Sequence, residues 1–65
     1  MVYRYQAIVE GRDYGALGKF YPITITFTSS LELQSPTSRR NAAIIAAHQF
    51  RKEVLYVNEV RQSDT

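Results

Sequence analysis

The sequence predicts a small α+β domain in the order β-β-α-β, with a three-stranded antiparallel sheet in strand order 2-1-3 and one helix packed on one face. Three observations lead there. Residues 2–10 and 23–28 alternate in a period of two, the mark of a half-buried strand. Residues 37–52 are alanine-rich and free of Gly and Pro, which suits a helix. Residues 54–60 return to a β-branched and aromatic composition.

In the first strand Tyr3, Tyr5, Ala7 and Val9 share one face, and Arg4, Gln6, Ile8 and Glu10 share the other. Residues 11–22 contain all three glycines and one of the two prolines, so they punctuate the pattern. The stretch exceeds the usual hairpin loop of about 2–5 residues. Its ends are therefore expected to extend the strands, with the turn near Gly15 to Gly18. Ile23, Ile25 and Phe27 face a core, while Thr24, Thr26 and Thr28 face water or a partner. Pro22 suits the first position of a strand, best on an edge. Leu31 and Leu33 then prolong the strand or pack beneath the helix.

Ser35 followed by Pro36 reads as an N-cap with proline in the first turn. Arg51 and Lys52 are expected to close the helix, where cations complement the terminal carbonyls. Residues 54–60 form the third strand and the polar residues 61–65 a fraying tail. A right-handed crossover through the helix lays the third strand beside the first, which gives the order 2-1-3.

One domain is all that 65 residues allow. A chain this short buries only roughly 60% of its unfolded surface, and such chains usually recruit a disulfide, a metal or a second subunit. Cysteine is absent and His48 is the sole histidine, so no metal or other cofactor is expected. Self-association is the staple that remains. No apolar run approaches the ~20 residues of a membrane span, and the start lacks the pattern of a signal peptide, so the expected location is cytoplasmic.

The helix carries more apolar surface than one face needs. Ala43, Ala47, Phe50 and Val54 fall on one side as the core face, with Ile44 at its border. Ile45 falls nearly opposite, with Ala42 and Gln49 beside it. Covering an isoleucine is worth roughly 1.5–3 kcal/mol, and small neighbours admit a second helix. A homodimer through the helix is one expected route to that cover, and pairing through a sheet edge is another.

Net charge is +2, which is modest for a nucleic-acid binder. Thr37, Ser38, Arg39 and Arg40 at the helix start are the candidate anion or nucleic-acid contacts, because helix N-termini favour phosphate. Arg12 and Lys19 join them from the loop, where Tyr14, Phe20 and Tyr21 interleave aromatic rings with the basic groups. Ile45, Ala42, Gln49, Tyr14 and Leu17 are the candidate partner or dimer contacts. Catalysis lacks its parts. There is no Cys, no motif links His48 to a serine, and Glu10, Asp13, Glu32, Glu53, Glu59 and Asp64 are dispersed. Gly11, Gly15 and Gly18 match no phosphate loop.

These features point to a non-enzymatic protein-interaction module, adaptor or inhibitor in type and homodimeric. The alternative is a weak nucleic-acid binder using the helix start and the loop. The small size and missing catalytic kit are similar to those of phage and mobile-element accessory proteins, a likeness of composition that no motif carries.

Overall fold

Tyr5, Ala7 and Val9 are buried while Arg4 and Gln6 are exposed, so the first strand keeps the alternation its sequence announces. In the computed structural model, which describes residues 1–63, that strand is β1 (Tyr3–Asp13). β2 (Tyr21–Ser29), α1 (Pro36–Gln49) and β3 (Lys52–Ser63) follow. Both outer strands run antiparallel to β1, in the order β2-β1-β3, and α1 packs on one face. Fold class and strand order agree with the sequence.

β1 and β2 pair without a break from Tyr3↔Ser29 to Gly11↔Tyr21. The strands consume most of the punctuated stretch and leave residues 14–20 as the loop. Gly15 turns it with φ 80, a left-handed value that a side chain resists. The Ala16 N–H donates to the Asp13 carbonyl at 3.1 Å.

The β1–β3 ladder is different. Ala7 faces Val60, Val9 faces Val57 and Gly11 faces Val54, with register shifts between Ile8 and Val9 and between Glu10 and Gly11. Asn58 and Leu55 are the extra residues of two β-bulges. In a regular strand, residues three apart point to opposite faces. Here the bulges turn Val54, Val57 and Val60 all toward the core. Ile8 lies on the open face with the β2 threonines.

Three boundaries differ from expectation. The helix ends at Gln49, with Phe50 as its cap, so Arg51 and Lys52 do not close a last turn. Arg51 reverses the chain at φ 61, donating its N–H to the His48 carbonyl at 3.0 Å, and Lys52 already pairs with Asp13 in β3. An early reversal is needed because β3 must start level with the far end of β1. Residues 61–63 are not frayed either: Arg61, Gln62 and Ser63 pair with Gln6, Tyr5 and Arg4, whose backbone groups are otherwise unmatched on that side. Asp64 and Thr65 lie outside the described residues.

The core consists of Tyr5, Ala7, Val9, Ile25, Ala43, Ala46 and Ala47. Helix alanines let α1 settle close to β1, and Ile23, Phe27, Val54, Val57 and Val60 close the rim. Ala46 holds a place beside Ala43 and Ala47, whereas Phe50 is 56% exposed because the helical stripe has already ended. Tyr5 stacks on Phe27 with centroids 5.5 Å apart, and its hydroxyl accepts the Leu33 N–H at 2.7 Å. The Leu33 carbonyl accepts Arg39 Nε at 2.8 Å, which pins the β2–α1 connection to the core.

Candidate protein-binding surface

α1 leans toward β3 and leaves the space above β2 open. Ala42, Ile45, Ala46 and Gln49 line one wall of the resulting groove, and Phe27, Thr28 and Ser29 line the other, around about 200 Å³. Toward the loop end the groove widens into a hollow of about 480 Å³ edged by Ile23, Ile25, Phe50 and Lys52. Ile45 and Phe50 are 59% and 56% exposed along it, and Tyr21, at the start of β2, is 48% exposed.

The two sheet edges are unlike. β2 pairs only with β1, so one side of its backbone faces outward. It has no bulge against β1, and no charged residue occurs from Phe20 to Leu31. β3 forms the opposite edge with two bulges and a row of charges. Lys52 pairs with Asp13, Glu53 with Arg12 at 2.6 Å, and Arg61 with Glu59 at 3.3 Å. Bulges, charges and proline are the usual protection of a sheet edge against pairing, and of these β2 carries only Pro22, near its start. The hydrogen bond to Asp13 holds the Lys52 ammonium above its ordinary 10.5, so the pair favours the fold below that pH and fades as pH rises through the raised value.

The basic candidates are dispersed and mostly engaged. Arg12 donates from Nε to Glu53 at 2.6 Å and from Nη1 to the Gly18 carbonyl at 2.6 Å, and its guanidinium lies 4.3 Å from the Phe20 ring centroid. It ties β1, β3 and the loop together. Arg12→Ala is expected to cost about 1–2 kcal/mol in a urea melt, with faster amide exchange in residues 14–20. Arg12→Lys should not restore it, since an ammonium cannot span both acceptors and the ring. An unchanged midpoint would show that the tie carries no stability.

At the helix start the Ser35 hydroxyl accepts the Ser38 N–H at 3.0 Å and meets the Ser38 hydroxyl at 2.8 Å. Arg39 turns inward to Leu33, leaving Thr37 and Arg40 exposed. Arg39 and Arg40 line a hollow of about 250 Å³ with Glu59, whose carboxylate pairs with Arg61. Lys19 is exposed in the loop, which docks at the other end of α1: Tyr14 donates its N–H to the Arg51 carbonyl at 3.2 Å, and its ring lies 6.2 Å from that of His48. Arg40 lies nine residues before the last residue of α1, about 13 Å along the axis, so it stands away from the end against which the loop of Lys19 docks.

Of the candidate partner contacts, the structure gathers Ala42, Ile45 and Gln49 on one wall. Tyr14 and Leu17 stand apart at the loop end, Leu17 fully exposed. The facing wall of Phe27, Thr28 and Ser29, with Tyr21 and Phe50 beyond, is not among the residues the sequence singles out. Its available signal is the charge-free run through β2.

Among the described residues no group of three His, Asp or Glu gathers as a metal site requires. No helix among the described residues is long and apolar enough to cross a membrane. A hollow of about 550 Å³ is lined by Arg4, Tyr5, Gln6, Thr26, Phe27, Thr28 and Ser63 and brings no base to a nucleophile. No protein-family model, curated protein or solved structure matches the chain.

Proposed function

We propose that this chain is a small non-enzymatic protein-binding module, adaptor or inhibitor in type, that meets its partner with the α1–β2 face. The supporting observation is the contrast between its edges. One is bulged and studded with ion pairs, and the other is unbroken, uncharged and flanked by exposed Ile45, Phe50 and Tyr21. A protein surface that pairs backbone and buries apolar side chains has those properties. Nucleic acid needs convergent cations, whereas Arg12 and Arg39 are bonded internally and Arg40 sits in the first half of α1 while the loop carrying Lys19 docks at its C-terminal end.

Titration with fluorescent single-stranded DNA and RNA, read by anisotropy at low and physiological salt, tests this reading. No saturable binding at physiological salt is expected. Binding that weakens by about 10-fold or more as salt rises, and that disappears in Lys19→Ala/Arg40→Ala, would replace it with the nucleic-acid reading.

A further inference from the structure

We infer that the occupant of the α1–β2 face is a second copy of this chain, docked about a two-fold axis so that the two β2 strands pair antiparallel and fuse two sheets into one of six strands. Such a dimer rests on the protein-binding reading and gives that reading its partner.

β2 runs from Tyr21 to Ser29, so its midpoint is Ile25. A two-fold axis through Ile25, perpendicular to the sheet, opposes Ile25 to the partner's Ile25 and Ile23 to the partner's Phe27. Directly opposed residues in an antiparallel pair point to the same face. This register therefore continues the apolar row of Ile23, Ile25 and Phe27 without interruption. On the open face it opposes Thr24 to the partner's Thr26, a favourable cross-strand pair. Both helices come to the same side, and Ile45 and Phe50 of each copy look toward the other across the joined groove.

Charge allows it. In an isologous contact every residue meets a symmetry mate of its own neighbourhood, so a charged strand would repel itself. From Phe20 to Leu31 there is no charge to repel, Ala42, Ile45, Ala46 and Gln49 add none, and Lys52 at the end of the hollow is paired with Asp13. β3 offers no such surface.

Area allows it too. A strand of nine residues is about 30 Å long by the usual rise. The molecule is 18 Å deep across its short axes. The face thus covers at most about 500 Å² on each copy, which just reaches the floor of roughly 1,000 Å² total for a specific interface and lies below the usual size of about 1,200–2,000 Å². The chain also exposes 4679 Å², against the roughly 4,200 Å² that monomers of its mass expose, an excess that pairing would remove.

Light scattering on wild type, Ile45→Glu, Thr24→Lys/Thr26→Lys and Thr24→Glu/Thr26→Glu tests the arrangement, with circular dichroism to verify folding. These positions are exposed, so the variants keep the core. Wild type is expected at twice the chain mass. Ile45→Glu and each double variant should weaken it about 100-fold or more at low salt. An equimolar mixture of the two double variants should recover the doubled mass, because each introduced lysine then opposes an introduced glutamate across the strand pair. A wild type that stays at the single-chain mass at every concentration overturns the second copy, and the oligonucleotide result then decides the protein-binding reading separately. A dimer that Ile45→Glu splits and the lysine double variant leaves intact overturns the strand pairing.

Discussion

Tyr5→Ala is expected to leave no folded protein at 25 °C. Tyr5 is 1% exposed and, with Val9, is the largest fully buried side chain in a core otherwise built mainly from alanine. Its ring stacks on Phe27 and its hydroxyl takes the Leu33 N–H, so one residue joins β1, β2 and the connection to α1. Truncating a buried aromatic to alanine costs about 3–5 kcal/mol. Cores of chains below about 70–80 residues rarely supply more than about 3–5 kcal/mol in total. The loss therefore equals the whole margin. Tyr5→Phe separates ring from hydroxyl: it keeps the stack, orphans one N–H, and should cost about 1 kcal/mol, a drop of about 4–8 °C in Tm. Far-ultraviolet circular dichroism across a urea titration reads both. A Tyr5→Ala chain with a wild-type midpoint would mean that Tyr5 does not hold the core.

Gly11→Ala carries the second large effect. Gly11 is buried in the middle strand, level with Val54, where the second bulge draws the β3 backbone inward. A Cβ there would stand 2.8 Å from the Glu53 carbonyl oxygen and 3.4 Å from Ile23 Cδ1. The nearer atom is backbone, held in the β1–β3 ladder, so relief requires the two strands to part. Overpacking of this kind costs about 1–3 kcal/mol, which outweighs the gain of roughly 0.5–1 kcal/mol that alanine ordinarily has over glycine. A fall in Tm of about 5–15 °C is expected. Gly18→Ala is the control, since nothing lies within 4 Å of its Cβ position. If both variants melt like wild type, the close approach of β3 to Gly11 is not a constraint on this sequence.

The fold class was legible because β1 and β2 alternate strictly and α1 is announced by Ser35-Pro36 and its alanines. Those signals are local, and each agrees with the others. β3 was harder. Val54, Val57 and Val60 recur every three residues, which suits neither a strand nor, over so short a run, a helix, and only the bulges at Leu55 and Asn58 reconcile that spacing with one buried face. Arg51 hid the end of the helix, because the left-handed reversal that usually calls for glycine is made by an arginine. Ile45 was visible as surplus grease on the helix, and the structure leaves it 59% exposed. What faces Ile45 depends on the sideways lean of α1, a tertiary choice that no periodicity encodes. The fate of Arg12 was equally hidden: a basic residue beside glycines looks free until Glu53, distant in sequence, arrives next to it.

The bulges in β3 would also set how large the inferred assembly can grow. In a joined sheet of two copies both outer margins are β3, so both carry the irregular backbone and the ion pairs. A third copy would find no regular ladder to extend. For the inferred pairing the stoichiometry would therefore be finite: the same irregularity that aims three valines inward would stop growth at two copies and keep strand pairing from running on into a fibre.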